Sequence, residues 1–379
     1  MKRLIPLIAA VIFAGGCVPH TELDKLGIVE AVGIDYADGE YTVTVQYFNT
    51  DASGGVTAVD STAPNAVVAE CGGKTIESAL EALSYKTGKE IMLGAVGMIV
   101  FGKDAAFSLG DSLGFTASHF SGNFRAYIAA ADGKASDVLA VKFKEGNASV
   151  DKVEGMLRNA QELGLTRPVR LYEAAEMLCS PTESLVLPRF TVYSDGGEMT
   201  EDGSSLILSG GTLCTDDKYA GTLGVNDMSG LAMICPAAGS GRSCDMSLTV
   251  GDSEARVMLY RIRTAVTPSL ADGRLHLDVE TNADCKYVTS NIGDPYAEKD
   301  TVERLCEEEI IRRTSSVLEK SLHGYGADVF GLGYIIRSYS PELWDEVSDS
   351  YREALTDCTF SVSASVNMER FGITHGADF

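Results

Sequence analysis

The chain has 379 residues, 45% of them hydrophobic, and a formal net charge of −23. That length suggests two or three domains with real cores. So acidic a surface repels nucleic acid and anionic lipid headgroups, which removes both from the expected partners.

Residues 1–17 have the form of an export leader. Lys2 and Arg3 make a basic tip, residues 4–13 an apolar run, and Ala14, Gly15 and Gly16 lead to Cys17. The run is shorter than the roughly 20 residues needed to span a membrane. Small residues ending at a cysteine resemble a bacterial lipobox, although Ala14 stands where such boxes usually carry Leu. In those signals the cysteine is diacylated and becomes the new N-terminus. Lipidation is therefore expected at Cys17. The alternative is a buried cysteine at an ordinary signal cleavage site.

Residues 28–35 and 41–48 read as strands around the Asp38–Gly39 turn, a hairpin signature. Residues 49–64 are small and polar and read as a loop. Residues 75–87 read as a helix with Thr75 as its cap and Gly88 at its end. A strand over 91–101, helices over 104–118, 135–143, 150–163 and 171–178, and strands over 124–131 and 189–193 follow. Residues 194–204 are rich in Gly, Ser and acids, and a domain boundary is expected near residue 200. The organisation read from the sequence is a leader (1–17), an N-terminal α+β region (18–200) and a C-terminal α+β domain (201–379). The first region has room to divide near residues 50–70.

The second half opens with strands over 206–209, 211–214, 219–223 and 247–250. A long hairpin over 255–284 turns at Asp272–Gly273. The longest helix spans 298–322, with Val302, Leu305, Cys306, Ile310, Val317, Leu318 and Leu322 on its buried stripe. A short helix over 341–350 turns Trp344 inward, and residues 359–370 close as a strand. The fold class is α+β: mixed and antiparallel sheets with packed helices, and a long helix in the C-terminal domain.

Several stretches together resemble the C subunits of spore germinant receptors, the Ger(x)C lipoproteins. After Cys17 the pattern is met at Glu22, Leu23, Leu26, Ile28, Val29, Gly33, Ile34 and Asp35. Val18 and Pro19 depart from it. Residues 88–102 and 133–139, then 327–333 and 339–344, carry the resemblance along nearly the whole mature chain. The resemblance implies a non-enzymatic lipoprotein needed for spore germination, without cofactor or metal. It would be lipid-anchored on the outer face of the spore inner membrane, beside the receptor's A and B subunits.

Two other functions compete. Residues 110–114, with Ser112 at their centre, match a G-x-S-x-G elbow and the opening of a GDSL-type hydrolase. An elbow needs a strand before the serine and a helix after it, whereas Ser112 falls inside a helical pattern. His119, His276, His323 and His375 are scattered, so no triad is legible. An extracytoplasmic solute-binding lipoprotein would show alternating βαβ units in both lobes, whereas strands precede the helix in the second half. His20 beside Glu22 is a weak metal pair on a solvated stem. Arg312 and Arg313 read as solvated partners of Glu307 to Glu309. Gly331 and Gly333 read as a tight bend after the long helix.

Eight cysteines remain after Cys17: 71, 179, 214, 235, 244, 285, 306 and 358. No C-x-x-C pair or zinc spacing is present. Mostly free thiols are expected, with Cys179 and Cys306 on apolar helix faces. Any bridge is expected at Cys235–Cys244.

Overall fold

A computed structural model describes residues 22, 25–48, 66–110, 114, 123–144, 149–194, 200, 203–216, 218–235, 243–290 and 297–370. Cys17, His20, Ser112, His119 and His375 lie outside these residues, as does the expected loop over 49–64.

The first hairpin forms as its turn chemistry dictates. β1 (Leu26–Ala37) and β2 (Glu40–Phe48) pair antiparallel up to Ala37 opposite Glu40. Asp38 and Gly39 take φ of 52° and 80°, the left-handed pair that a type I′ turn requires. A register shift between Val29 and Ala31 interrupts the alternation of β1. Val29, Val32 and Ile34 therefore share one core while Ala31 faces another.

β3 (Ala66–Gly73) adds to β2, and α1 (Ile76–Thr87) follows. Thr75 Oγ1 accepts from the Ser78 N–H at 3.2 Å, and the Ser78 hydroxyl accepts from the Thr75 N–H at 3.1 Å. Gly88 ends the helix in the left-handed conformation. The strand expected over 91–101 is two strands, β4 (Glu90–Met92) and β5 (Met98–Phe101). Both pair parallel with β1. Within the expected 104–118 helix, residues 105–108 form a 3₁₀ turn.

β6 (Tyr127–Ala131), α2 (Ala135–Ala140), α3 (Ser149–Glu162), β7 (Val169–Arg170), α4 (Leu171–Cys179) and β8 (Leu185–Ser194) complete the first half. β9 (Ser204–Thr215) then pairs antiparallel with β8, and β10 (Lys218–Leu223) with β9. The stretch expected to be an interdomain linker near residue 200 thus joins two paired strands of one sheet. That sheet runs β10-β9-β8-β6-β5-β1-β2-β3, with β4 on β1 and β7 on β6. One face buries Leu83 of α1 and Leu171 of α4, and the other buries Val138 of α2 and Leu157 of α3.

α5 (Val225–Ile234) leads to the second sheet. β11 (Ser243–Val250), β12 (Ser253–Ala271) and β13 (Arg274–Ser290) are antiparallel, turning between β12 and β13 at Asp272–Gly273. The chain then crosses over through α6 (Lys299–Leu318), a π turn at Glu319–Gly324, α7 (Leu332–Tyr339), α8 (Pro341–Val347) and α9 (Tyr351–Thr356). β14 (Thr359–Arg370) lands parallel to β13. Val302, Cys306 and Ile310 of α6 pack on Val257, Leu259 and Cys285. Leu305, expected on that stripe, is only half-buried against it.

The free edge of β14 is partly closed by α6. The N–H groups of Val366 and Met368 donate to the Glu307 and Glu303 carboxylates at 3.0 and 2.7 Å. This removes part of an exposed pairing edge. A core containing Val186, Leu213 and Leu223 of the first sheet also contains Leu277, Val317 and Leu343 of the second half. The two sheets therefore share buried contacts.

Candidate functional site

Two motifs that carry the sequence resemblance place carboxylates at helix starts, one half-buried and one fully buried. Asp35, at the end of the first motif, lies at the N-terminus of α2. Its Oδ1 accepts from the Ala135 N–H at 2.7 Å and its Oδ2 from the Ser136 N–H at 3.0 Å. Lys134, the residue before α2, supplies no side-chain cap, so Asp35 does that work from another element. Gly33 and Gly102 make room. A Cβ at Gly33 would meet Ala135 Cβ at 3.2 Å, and one at Gly102 would meet Asp35 Oδ1 at 2.0 Å. Burial pushes the Asp35 carboxyl up, and the two N–H groups offset only part of that.

Asp328 does the same at α7, and it is fully buried. Its carboxylate accepts from the N–H groups of Phe330 at 3.1 Å, Leu332 at 2.9 Å and Gly333 at 2.8 Å. The Tyr351 hydroxyl donates to it at 2.8 Å. Gly331 takes φ 72° just before α7, so the expected bend at Gly331 and Gly333 is the start of a helix. Burial pushes the Asp328 carboxyl up against these four donors, and burial with Asp328 beside it pushes the Tyr351 phenol up.

The Asp328 turn is also where the two halves join. Its backbone oxygen accepts from the Ser184 N–H at 2.8 Å, and Glu183 forms a bridge to it. A Cβ on Gly333 would come within 2.7 Å of Thr182 Cβ. Cys235, at the end of α5, donates its thiol to the Phe330 carbonyl at 3.2 Å. Burial pushes that thiol up to about 12. Burial, then Asp328, pushes the Glu183 carboxyl up.

A second polar cluster fixes α5 on α6. Asp227 accepts from the Gly224 N–H at 2.9 Å, the Ser316 hydroxyl at 2.7 Å and the Lys320 ammonium at 2.6 Å. Burial alone would raise its carboxyl, but these partners hold it below the usual range. Arg313 is buried, not solvated as its sequence context suggests. It reaches Glu309 at 2.6 Å and the Ser229 hydroxyl at 3.0 Å. Arg312 pairs with the same carboxylate at the surface.

The described histidines are half-buried and tie neighbouring elements. His276 meets Thr359 Oγ1 at 2.7 Å and Asp278 Oδ1 at 3.3 Å on the exposed face of the second sheet. His323 meets Glu319 and the Cys358 carbonyl. Among the described residues no group of three His, Cys, Asp or Glu is arranged to hold a metal ion, and no helix is long and apolar enough to cross a membrane. The eight described cysteines are free, with Cys235 and Cys244 each bonded elsewhere. Cys306 is buried as expected, but Cys179 is exposed because it ends α4 on the outer side.

Comparison with known proteins places these features. Residues 19–192 match the spore germination protein N-terminal domain, and residues 209–372 match the spore germination B3/GerAC-like C-terminal domain. The chain belongs to the Ger(x)C family of spore germination proteins. It is 22% identical to the spore germination protein YndF of Bacillus subtilis (strain 168), over 98% of both chains. It is 21% identical to the spore germination protein KC of the same organism, over 97% of this chain and 95% of that one. The crystal structure of the GerBC protein shares the fold, with a TM-score of 0.55 at 18% identity over 92% of this chain and 99% of the other.

In this Ger(x)C chain, then, Asp35 and Asp328 are framework residues at the two motifs. The Asp328 joint, α5 and the buried Arg313 were not legible as a unit. A partial signal was present: an Asp can accept from the backbone N–H two residues on, here Phe330, as in an Asx turn.

Proposed function

We propose that this chain is the lipid-anchored, non-enzymatic C-type subunit of a nutrient germinant receptor. Cys17 would carry the lipid and hold the protein on the outer face of the spore inner membrane, beside A- and B-type subunits. The observation that carries the reading is the presence of both family domains in order, across residues 19–192 and 209–372. Buried contacts tie the two halves together, so that partner contacts on either half would be linked. A tether to the membrane raises the effective concentration of its partners, so modest contacts suffice.

The test has two arms. The wild-type protein is expected to co-purify with A- and B-type subunits from spore membranes, and deletion of its gene to abolish one nutrient response while nutrient-independent triggers still work. Normal germination of the deletion strain with every nutrient, without co-purifying subunits, would sink the reading. Cys17→Ala is expected to leave the fold intact and release the processed protein from the membrane fraction.

A further inference from the structure

One family-resembling stretch is only half explained by packing. In residues 339–344, Leu343 is buried and Trp344 meets Tyr351 in a tilted ring contact, 5.4 Å between centroids. Pro341 opens α8 at a position where its missing N–H is harmless. Tyr339, however, is 80% exposed, and beside it Leu270, at the tip of the β12–β13 hairpin, is 41% exposed. Both line an open cavity of about 620 Å³ together with Pro268, Pro341, Glu342 and Glu346. A neighbouring cavity of about 300 Å³ shares Leu270 and Glu346 and runs on to Glu353 and Asp357.

The charge around these cavities is one-sided. Glu342, Glu346, Glu353 and Asp357 line them, against Arg274 as the lining cation among the described residues. None of the four carboxylates is in an ion pair among the described residues. The groove is also preformed. The Ser340 N–H donates to Ile336 O at 2.8 Å and the Trp344 N–H to Ser340 O at 3.0 Å, so the α7–α8 corner is held by backbone bonds over a packed core. A preformed groove spares a ligand the ordering cost.

We infer that this acidic-rimmed groove docks a peptide segment of a partner protein that carries an apolar anchor flanked by lysine or arginine. The anchor would lie on Leu270 and Tyr339, and the flanking cations would meet Glu342 and Glu346. Desolvated aromatic contact at the centre with charge at the rim is the arrangement that gives affinity and orientation respectively. This deepens the receptor reading, on which it rests only for which protein supplies the segment.

The groove is tested with the purified full chain and a fluorescein-labelled twelve-residue peptide of alternating Lys and Leu, with a Glu–Leu peptide as control. Saturable binding of the Lys–Leu peptide is expected, weakening with salt. It is expected to fall at least fivefold in Tyr339→Ala, in Leu270→Ser and in Glu342→Lys with Glu346→Lys. Glu254→Lys with Glu280→Lys, on the second sheet away from the groove, is expected to leave it unchanged. Thermal melts confirm that each variant is folded. Equal loss from the remote pair, no loss from the groove variants, or no saturable binding overturns the inference. So does a second copy of the chain occupying the groove, seen as self-association that Tyr339→Ala abolishes. In spores, co-purification of receptor subunits by the wild type but equally by all groove variants rejects the groove and leaves the receptor reading standing. Peptide binding without any receptor subunit does the reverse.

Discussion

Asp35 and Asp328 perform one physical task in two different ways. Each closes the N-terminus of a helix with a carboxylate from outside that helix, half-buried at Asp35 and fully buried at Asp328. Asp35 reaches across 100 residues of sequence to α2, whereas Asp328 serves the turn that follows it, four and five residues on. Asp35 meets two N–H groups and is partly wetted. Asp328 meets three N–H groups and a phenol with no exposure. The first therefore joins two elements within one half, and the second locks the joint between halves. The cost of removing a cap depends on how many donors it leaves dry, more than on the cap itself.

The largest effect is expected at Asp328→Ala. It strands three N–H groups and the Tyr351 hydroxyl in a dry site, and the loss is expected to be ~3–5 kcal/mol by urea denaturation. A loss below ~1 kcal/mol would mean that water enters the joint, and the contrast with Asp35 would collapse.

Gly102→Ala comes next. Its Cβ would lie 2.0 Å from Asp35 Oδ1, so the carboxylate must leave α2 or the backbone must shift. Overpacking of this kind costs ~1–3 kcal/mol. Combined with Asp35→Ala the loss is expected to be less than additive, because the clash has gone. Strict additivity in melts of the double variant would show that Gly102 acts through something else. Asp35→Ala alone is expected to cost ~1–2 kcal/mol, the usual range for a cap.

The smallest effect is one of pH, and its sign separates two buried acids. Asp227 is held below the usual carboxylate range, so the unfolded chain binds its proton first as pH falls. Its stabilisation is present above roughly pH 4 and is lost as pH falls through its folded pKa. Asp328 is pushed up, so the fold binds its proton first. Its ionised form is the costly one, and stability is lost as pH rises through its folded pKa. Melts of Asp227→Asn and Asp328→Asn against the wild type over pH 3–8 are expected to give difference curves of opposite slope. Curves of the same slope would show that one of the two sites is misread.

What was legible before the fold was local. The Asp-Gly turns at 38–39 and 272–273 need left-handed backbone, which their residues tolerate, so both hairpins were readable. Thr75 and Gly88 bound α1 through contacts within four residues. The stripe of α6 repeats at helical spacing, so its burial at Val302, Cys306 and Ile310 was readable too. α5 was not. It is buried nearly all round and so has no polar face to set a period, and Gly230 sits inside it. That glycine is explained only by α6, whose Arg313 oxygen lies 2.5 Å from where a Cβ would be.

The stretch near residue 200 shows the same limit. Its Gly, Ser and acidic residues announce a break in packing, and they do so equally for a linker and for a hairpin loop. The two family domains meet across it, at residues 192 and 209, yet β8 and β9 on either side pair in one sheet, and that pairing depends on residues far from the break. By itself the sequence determined the turns, the capped helices, the acidic surface and the family of the chain, because each is written in neighbouring residues or in their order. The tertiary structure alone decided that Asp35 reaches α2, that Arg313 is dry and that Asp328 joins the halves, because burial and partnership are set by segments that meet only when the chain is folded.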